Sequence, residues 1–552
     1  MKNIFRPKII DSMKGYGPKQ LISDIVAGLI VAIIALPLSI ALAIASGVSP
    51  ERGIYTAIVA GFVIALFGGS RVNISGPTAA FATIVAGIVF NFGLSGLVIA
   101  TLMAGVILIL MGVLRFGSLI KYIPCTITTG FTSGIAITII IGQLKDFFGL
   151  TFPAGTHAVE TTEKLTAVVK SFGTVNLWAL LVGGIGLLIL IIWPKLGKIG
   201  KKIPGSLIAV LVGTAVVKLC SIPVNTIGDL YTISGSLPAF SFPAFDIDTV
   251  IKLVPSAFTI AILAGIESLL SCVVSDGMIN DKHNSNTELI AQGIGNICSG
   301  LFGGIPATGA IARTAANVKN GGRSPISGIV HALILLLILV VLMPYAAWIP
   351  MPIIAAILFM VAYNMCEWRE FVKLCRTAPL TDIIVLVATF VLTVVFDLVV
   401  AIAVGMVLAV VFFMKRMADN TMMRAWSKAN EHEDSNLKSV PDGVMVYEID
   451  GPMFFASADK FTALPTEEGT RVIILRMHDV PAIDATATRN LHSIVKNCKE
   501  NGIVLLLDHV NEQPKKVMLR AGLVDMIGEE NILPSIDAAL ERAGELAALE
   551  IK

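Results

Sequence analysis

Leu301-Phe302-Gly303-Gly304-Ile305-Pro306-Ala307-Thr308-Gly309-Ala310 ends one apolar run and opens another. Its first five residues echo an earlier stretch, Leu66-Phe67-Gly68-Gly69-Ser70. The earlier copy leads into its own small-residue break, Ser75-Gly76-Pro77-Thr78-Ala79-Ala80. Each break opens a short apolar span, 77–93 in the first half and 308–319 in the second. A five-residue echo alone is weak. Paired Gly/Pro-interrupted short spans at matching places in two halves of a membrane chain point to a binding site between them.

Such breaks have a chemistry of their own. A helix that starts inside the bilayer leaves its first N–H groups unpaired. Its dipole adds about half a positive charge at that end. Two such starts facing each other form an anion site with few basic side chains, and small residues let the backbone come close to the ligand. The competing reading is that the glycines serve tight helix packing.

The rest of the chain fits a polytopic α-helical membrane protein. Of 552 residues, 55% are hydrophobic and 14% charged, against about 25% charged in soluble domains. Apolar spans are expected at 24–45, 53–69, 77–93, 95–114, 126–148, 177–193, 204–220, 255–277, 286–302, 308–319, 325–343, 351–364, 380–396 and 397–414. That is about fourteen by the length a bilayer requires. Seven per half is an odd number, so the halves run in opposite senses and the short helices meet head to head. Lys2, Arg6, Lys8, Lys14 and Lys19, then Lys195, Lys198, Lys201 and Lys202, then Lys319 and Arg323, then Lys415, Arg416 and Arg424 all fall on one side. Positive charge marks the cytoplasmic side, so both termini are expected in the cytoplasm. The first apolar run, 25–45, is too long for a signal-peptide core. The basic residues sit at helix ends and form no nucleic-acid stripe.

Glu267 is the only charged residue between Pro255 and Val274. A charge inside a span costs about 3 kcal/mol or more and marks a functional site by default; the alternative is a hydrogen bond between helices. Arg313 lies five residues past Thr308. It either reaches an anion with its planar guanidinium or snorkels to the interface beside Lys319 and Arg323. The seven cysteines form no C-x-x-C pair and read as buried thiols. The histidines (157, 283, 331, 432, 478, 492, 509) show no metal-ligand spacing; His331, near the start of an apolar helix, is the one that merits mutation.

Beyond about residue 437 the apolar runs shorten to strand length: Val444–Ile449, Met453–Phe455, Val472–Leu475 and Ile503–Leu507. Helix-like segments at 485–500, 512–521 and 535–548 alternate with them, which indicates a small soluble α/β domain. The expected division is a cytoplasmic segment 1–23, a transmembrane domain 24–416, a linker 417–442 (most clearly 428–442) and a domain 443–552.

Four stretches together resemble the SulP family of anion transporters. They are Ser75 to Phe81, Gly130-Phe131-Thr132-Ser133-Gly134-Ile135, the segment around Glu267, and Gly303 to Arg313. The resemblance covers nearly the whole chain, with a C-terminal STAS domain. Gly68-Gly69-Ser70-Arg71, Ile266 to Leu270, Asp276-Gly277-Met278 and Ser324-Pro325-Ile326-Ser327 look closest to the DauA-like bacterial branch for four-carbon dicarboxylates. The resemblance implies 7+7 inverted repeats forming a core and a gate domain, and a homodimer with contacts through the cytoplasmic domain, in a bacterial inner membrane. It places the anion between Thr78, Ala79, Ala80 and Phe81 on one side and Thr308, Gly309, Ala310, Ile311 and Arg313 on the other. Glu267 and Ser271 would hold the coupling ion. Where the family's sodium–bicarbonate branch has an Asp, this chain has Glu267, which leans toward protons over sodium. STAS domains of the anti-sigma-antagonist type carry a phosphorylatable Ser after the Asp of the third loop. Here Ala485 follows Asp484, so that switch should be absent, and a regulatory, trafficking or assembly role, with a cytoplasmic protein partner, is expected instead.

The leading expectation is therefore secondary active, proton-coupled uptake of a dicarboxylate such as succinate or fumarate, with no cofactor. The alternative substrate is sulfate or bicarbonate, sodium-coupled or exchanged. A channel-like or sensory protein is a different class. An enzyme is disfavoured, because the sequence holds no P-loop, nucleophile elbow or metal-spaced cluster.

Overall fold

The computed structural model describes residues 5–118, 123–153, 160–197, 203–243, 246–396, 398–426, 440–461 and 464–548. Lys2, Lys198, Lys201, Lys202, His157, His432 and residues 427–439 of the expected linker lie outside these residues. The chain forms two compact units, 1–406 and 407–552.

The first unit is built from α1 (Pro18–Ala45), α2 (Pro50–Phe67), α3 (Ala82–Val113), α4 (Cys125–Phe148), α5 (Leu177–Ile192), α6 (Gly205–Leu219), α7 (Ile247–Ile279), α8 (Ser285–Leu301), α9 (Ile311–Lys319), α10 (Ile326–Leu342), α11 (Met351–Cys366) and α12 (Leu380–Val395). The next helix, α13 (Leu398–Asn420), runs on past residue 406. All fourteen expected spans are present, because α3 holds two of them, bent at Gly93 with φ of 67°. Among the described residues nine helices are long and apolar enough to cross a bilayer alone; the shorter ones pack between them. Packing sorts the helices into two groups. One contains α1, α2, α3 and α7 to α10; the other contains α4, α5, α6, α11 and α12. These are the two inverted repeats interleaved into a core and a gate.

The breaks are where the helical pattern yields. Residues 68–78 and 303–310 are mostly extended, and they meet in a two-residue antiparallel pair, β1 (Ser75–Gly76) with β2 (Thr308–Gly309). The registers are Ser75 to Gly309 and Gly76 to Thr308. Antiparallel strands send the helices that follow them in opposite directions, as the odd span count requires. The helical starts lie later than the sequence pattern suggests. The first begins as a 3-10 turn at Ala79–Phe81 and the second begins at Ile311, not 308, because Thr308 and Gly309 are spent in the strand.

The second unit is a five-stranded sheet in the order β3-β4-β5-β6-β7. Its strands are β3 (Met422–Trp426), β4 (Val444–Asp450), β5 (Val472–Asp479), β6 (Val504–Asp508) and β7 (Ile532–Leu533). The β4 to β7 pairings are parallel and β3 pairs antiparallel at the edge. Side chains of β5 alternate between two cores: Ile473, Leu475 and Met477 face one, Val472 and Ile474 the other. The first core also takes Leu491 and Ile494 of α14 (Ala485–Glu500) and Met518 of α15 (Glu512–Arg520), and the second Leu540 of α16 (Ile536–Ala548). The segment expected as linker is thus partly ordered secondary structure: α13 runs on to Asn420 and β3 joins the sheet. At the strand ends, burial pushes the Asp508 carboxyl up, against the pull of Arg476, His509 and His478. Asp484 caps α14 by accepting from the Ala487 N–H at 2.8 Å, so Ala485 is simply the first helical residue.

Candidate functional site

Backbone groups left unpaired inside a bilayer cost several kcal/mol each, so the two breaks need partners. The first break is held mainly from α8 and α9. Glu288 Oε2 accepts from the Gly69 N–H at 2.8 Å. The Thr314 hydroxyl accepts from the Ile74 N–H at 3.0 Å, and Asn317 donates to the Val72 carbonyl at 2.9 Å. The second break is held mainly from α2 and α8. Thr56 accepts from the Ile305 N–H at 2.7 Å. Asn296 pairs with both backbone groups of Ala307, at 2.8 and 2.9 Å. Arg52 donates to the Gly303 carbonyl at 2.9 Å.

Between the breaks, the two helix starts carry no side-chain cap. The Ala310 N–H donates to the Ile74 carbonyl at 2.8 Å and the Phe81 N–H to the Thr78 carbonyl at 3.4 Å, so the N–H groups of Ala79, Ala80 and Ile311 are the ones a bound anion would meet. Ala79, Ala80 and Phe81 are buried, Thr78 and Ala310 are partly exposed, and Ile311 is 42% exposed. Gly309 is forced by close approach: a methyl group there would come within 2.7 Å of Asn73 Nδ2 and 3.0 Å of Ser268 Oγ.

Glu267, on α7, stands beside the first start. The Thr78 hydroxyl donates to Glu267 Oε2 at 3.0 Å. The residue predicted as substrate contact and the residue predicted as ion carrier thus touch directly. Three other predicted residues are engaged elsewhere. The Thr308 hydroxyl donates to the Ala264 carbonyl at 2.8 Å. Ser271, one turn from Glu267, donates to Asn73 Oδ1 at 2.7 Å and is fully buried. Arg313 does not snorkel: it is 2% exposed, and its Nη2 donates to the Pro77 carbonyl at 2.6 Å. Its Nη1 lies against Gly76, where a methyl group would come within 2.5 Å. Arg313 therefore ties the second half-helix to the strand that leads into the first. His331 is fully buried, with its ring edge near Gly61 and neither ring nitrogen hydrogen-bonded.

Two acids were missed in the sequence. Glu288 is fully buried and accepts from Gly69, Asn73, Ser268 and Gln292. It sits two residues inside a span whose preceding loop is polar, so it reads as an interfacial charge. Its spacing from Gln292 and Asn296, every fourth residue on one helix face, was the available signal. Asp24 is also fully buried and accepts from Tyr16, Gln20 and the backbone N–H groups of Arg323 and Ser324. It pins the turn before α10 to α1. Its place at the very start of the first span hid it.

At the Gly303 end of the second break lies a cavity of about 460 Å³ lined in part by Arg52, Tyr55, Ser95, Ser236 and Phe302. The extended segment that walls it is held by Tyr55 donating to the Ser236 carbonyl and by the Ser241 N–H donating to the Leu301 carbonyl.

The sulfate permease family profile matches residues 21–389, and a STAS domain profile matches residues 437–539. "Putative sulfate transporter YvdB" of Bacillus subtilis (strain 168) is 41% identical over 95% of this chain and 98% of its own length. The bicarbonate transporter BicA of Picosynechococcus sp. (strain ATCC 27264 / PCC 7002 / PR-6) is 30% identical over 95% of each chain. The structure of SLC26A9 matches with a TM-score of 0.88 over 98% of this chain and 93% of that one, at 19% identity, a likeness of fold.

Proposed function

The chain belongs to the sulfate permease family and is a multi-pass membrane anion transporter, and from that premise we propose that it moves a small inorganic oxyanion, sulfate or bicarbonate, by alternating access, with Glu267 carrying the coupling ion. The names of the two relatives above support this substrate class over the dicarboxylate reading. Ala79, Ala80 and Ile311 cradle the anion with the N–H groups of the two helix starts, while Phe81 and Ala310, whose N–H groups are held by the Thr78 and Ile74 carbonyls, line it. Arg313 supplies positive charge from behind that cradle while holding Pro77.

The observation that carries the proposal is the 3.0 Å bond from Thr78 to Glu267. A carboxylate beside an anion cradle repels the anion. Loading that carboxylate with a proton, or with sodium, removes the repulsion and changes what Thr78 can donate to. Cation and anion then bind together or not at all, which is the requirement for symport. The protein acts in this reading as a homodimer in a bacterial cytoplasmic membrane with both termini inside. The C-terminal domain serves assembly or regulation.

Uptake of labelled sulfate into liposomes holding the purified protein tests this, under inward proton and then inward sodium gradients. Accumulation driven by one of the gradients, with bicarbonate competing and succinate not, is the expected result. Strong competition by succinate would return the dicarboxylate reading to first place.

A further inference from the structure

Glu288 is an acid that the transport step described above does not use. Its surroundings are unusual in one chemical respect: four hydrogen-bond donors converge on it. Oε2 accepts from the Gly69 N–H at 2.8 Å, and Oε1 accepts from Asn73 Nδ2 at 2.8 Å, Gln292 Nε2 at 3.0 Å and the Ser268 hydroxyl at 3.1 Å. Carboxylate oxygens are suited to such convergent donors, and four hydrogen bonds offset the cost of burying the group without an ion pair. The four donors sit on three pieces of the machinery: Gly69 and Asn73 on the first break, Ser268 on α7 one residue past Glu267, and Gln292 on α8 itself.

The second layer extends to the other break. Asn73 Oδ1 accepts from Ser271 at 2.7 Å and from Thr314 at 3.0 Å. Gln292 donates to the Ser75 hydroxyl at 3.0 Å, within β1. The Asn73 amide is also the group that leaves no room for a side chain at Gly309. The Asn73 amide, held by Glu288 on its nitrogen and by Ser271 and Thr314 on its oxygen, thus stands between the first break and the second.

We propose that Glu288 is a positioning residue for transport: its carboxyl group orients Asn73 and thereby holds the two helix starts at the separation that binds the anion. This rests on the reading that those starts form the anion cradle.

A charge swap tests it. Glu288→Gln sets an amide N–H against at least one of the four donors. Asn73→Asp sets two carboxylates face to face. The double variant Glu288→Gln/Asn73→Asp restores a donor opposite an acceptor and leaves an amide oxygen for the Gly69 N–H. For Glu288→Gln the expected result is a rise of about tenfold in the KM for sulfate with the maximal rate nearly kept. Asn73→Asp should be worse, and the double variant should return to within about threefold of the parent. A scaffold role alone predicts loss of folded protein with an unchanged KM in what remains.

Spin labels at Asn91→Cys and Lys319→Cys, both exposed at the far ends of the half-helices, give a readout that needs no substrate. The exposed Cys125 and Cys220 are replaced by serine for this measurement. The distance distribution should broaden in Glu288→Gln and narrow again in the double variant. Parent-like KM and parent-like width in Glu288→Gln would overturn the proposal, as would a double variant no better than Asn73→Asp. Should Glu288→Gln not fold, recovery of folded protein, width and KM in the double variant relative to Asn73→Asp still decides it. If the distances respond as expected but the parent moves none of sulfate, bicarbonate and succinate, the transport reading fails and the positioning role stands.

Discussion

The two breaks share a backbone plan and differ in how they are held. The first, 68–78, begins buried and is gripped at Gly69 by a carboxylate that also grips Asn73. The second, 303–310, begins beside a cavity and is gripped by neutral groups, Thr56 and Asn296, and by one guanidinium at Gly303. An inverted repeat fixes where the chain must break, and each half then finds its own side chains to satisfy the freed backbone. The difference has a functional sense. Glu288 and Glu267 both act on the first break and its helix start, and Arg313 reaches across from the second half-helix to the Pro77 carbonyl there. In the proposed reading, ion coupling belongs to the first break and the second completes the anion cradle.

Glu267→Gln should have the largest effect. Uptake should lose its dependence on the coupling gradient and run only to equilibration, measured as accumulation in liposomes with and without the gradient; retained concentrative uptake would remove Glu267 from its role. Next comes Gly309→Ala, where the added methyl group meets the Asn73 amide at 2.7 Å. Transport should fall about tenfold or more, with about 1–3 kcal/mol lost in stability, read by uptake and thermal unfolding in detergent. Thr56→Val leaves the Ile305 N–H without its acceptor. It should cost about 1–3 kcal/mol in stability and leave gradient dependence intact, which is the sharpest contrast with the first break. Ile311→Ala is the mildest: with 42% of the side chain exposed, stability should move by no more than about 0.5 kcal/mol while the KM for the anion shifts. A larger loss of stability there would mean that the second start is packed rather than open.

Much of this was legible in the residues, because the information lay in periodicity and breaks. The echo of Leu66–Ser70 in Leu301–Ile305 announced the inverted repeat, and small residues after each copy announced the breaks and the short helices beyond them, but not the strand pair between them. Glu267 stood out as a lone charge in an apolar run. Glu288 and Asp24 did not, because both lie within two residues of a span's start, where a charge ordinarily faces water. Their burial depends on loops 68–74 and 323–324 folding back over them, a tertiary fact. The roles of Thr308 and Ser271 were obscured for a related reason. Both occupy positions that face the site along the chain, but their hydroxyls are taken by the Ala264 carbonyl and by Asn73. Sequence places a hydroxyl on a segment; only packing decides what it donates to. In the C-terminal unit, β3 was hidden because a single edge strand next to a polar segment carries little pattern.

The most direct test is the sulfate KM of the parent and of Thr78→Val at high and low concentration of the coupling cation. If Thr78 links the carboxylate of Glu267 to the anion cradle, the parent's KM falls as the cation rises and the variant's KM is unresponsive. A variant that keeps the parent's full cation dependence would contradict that link.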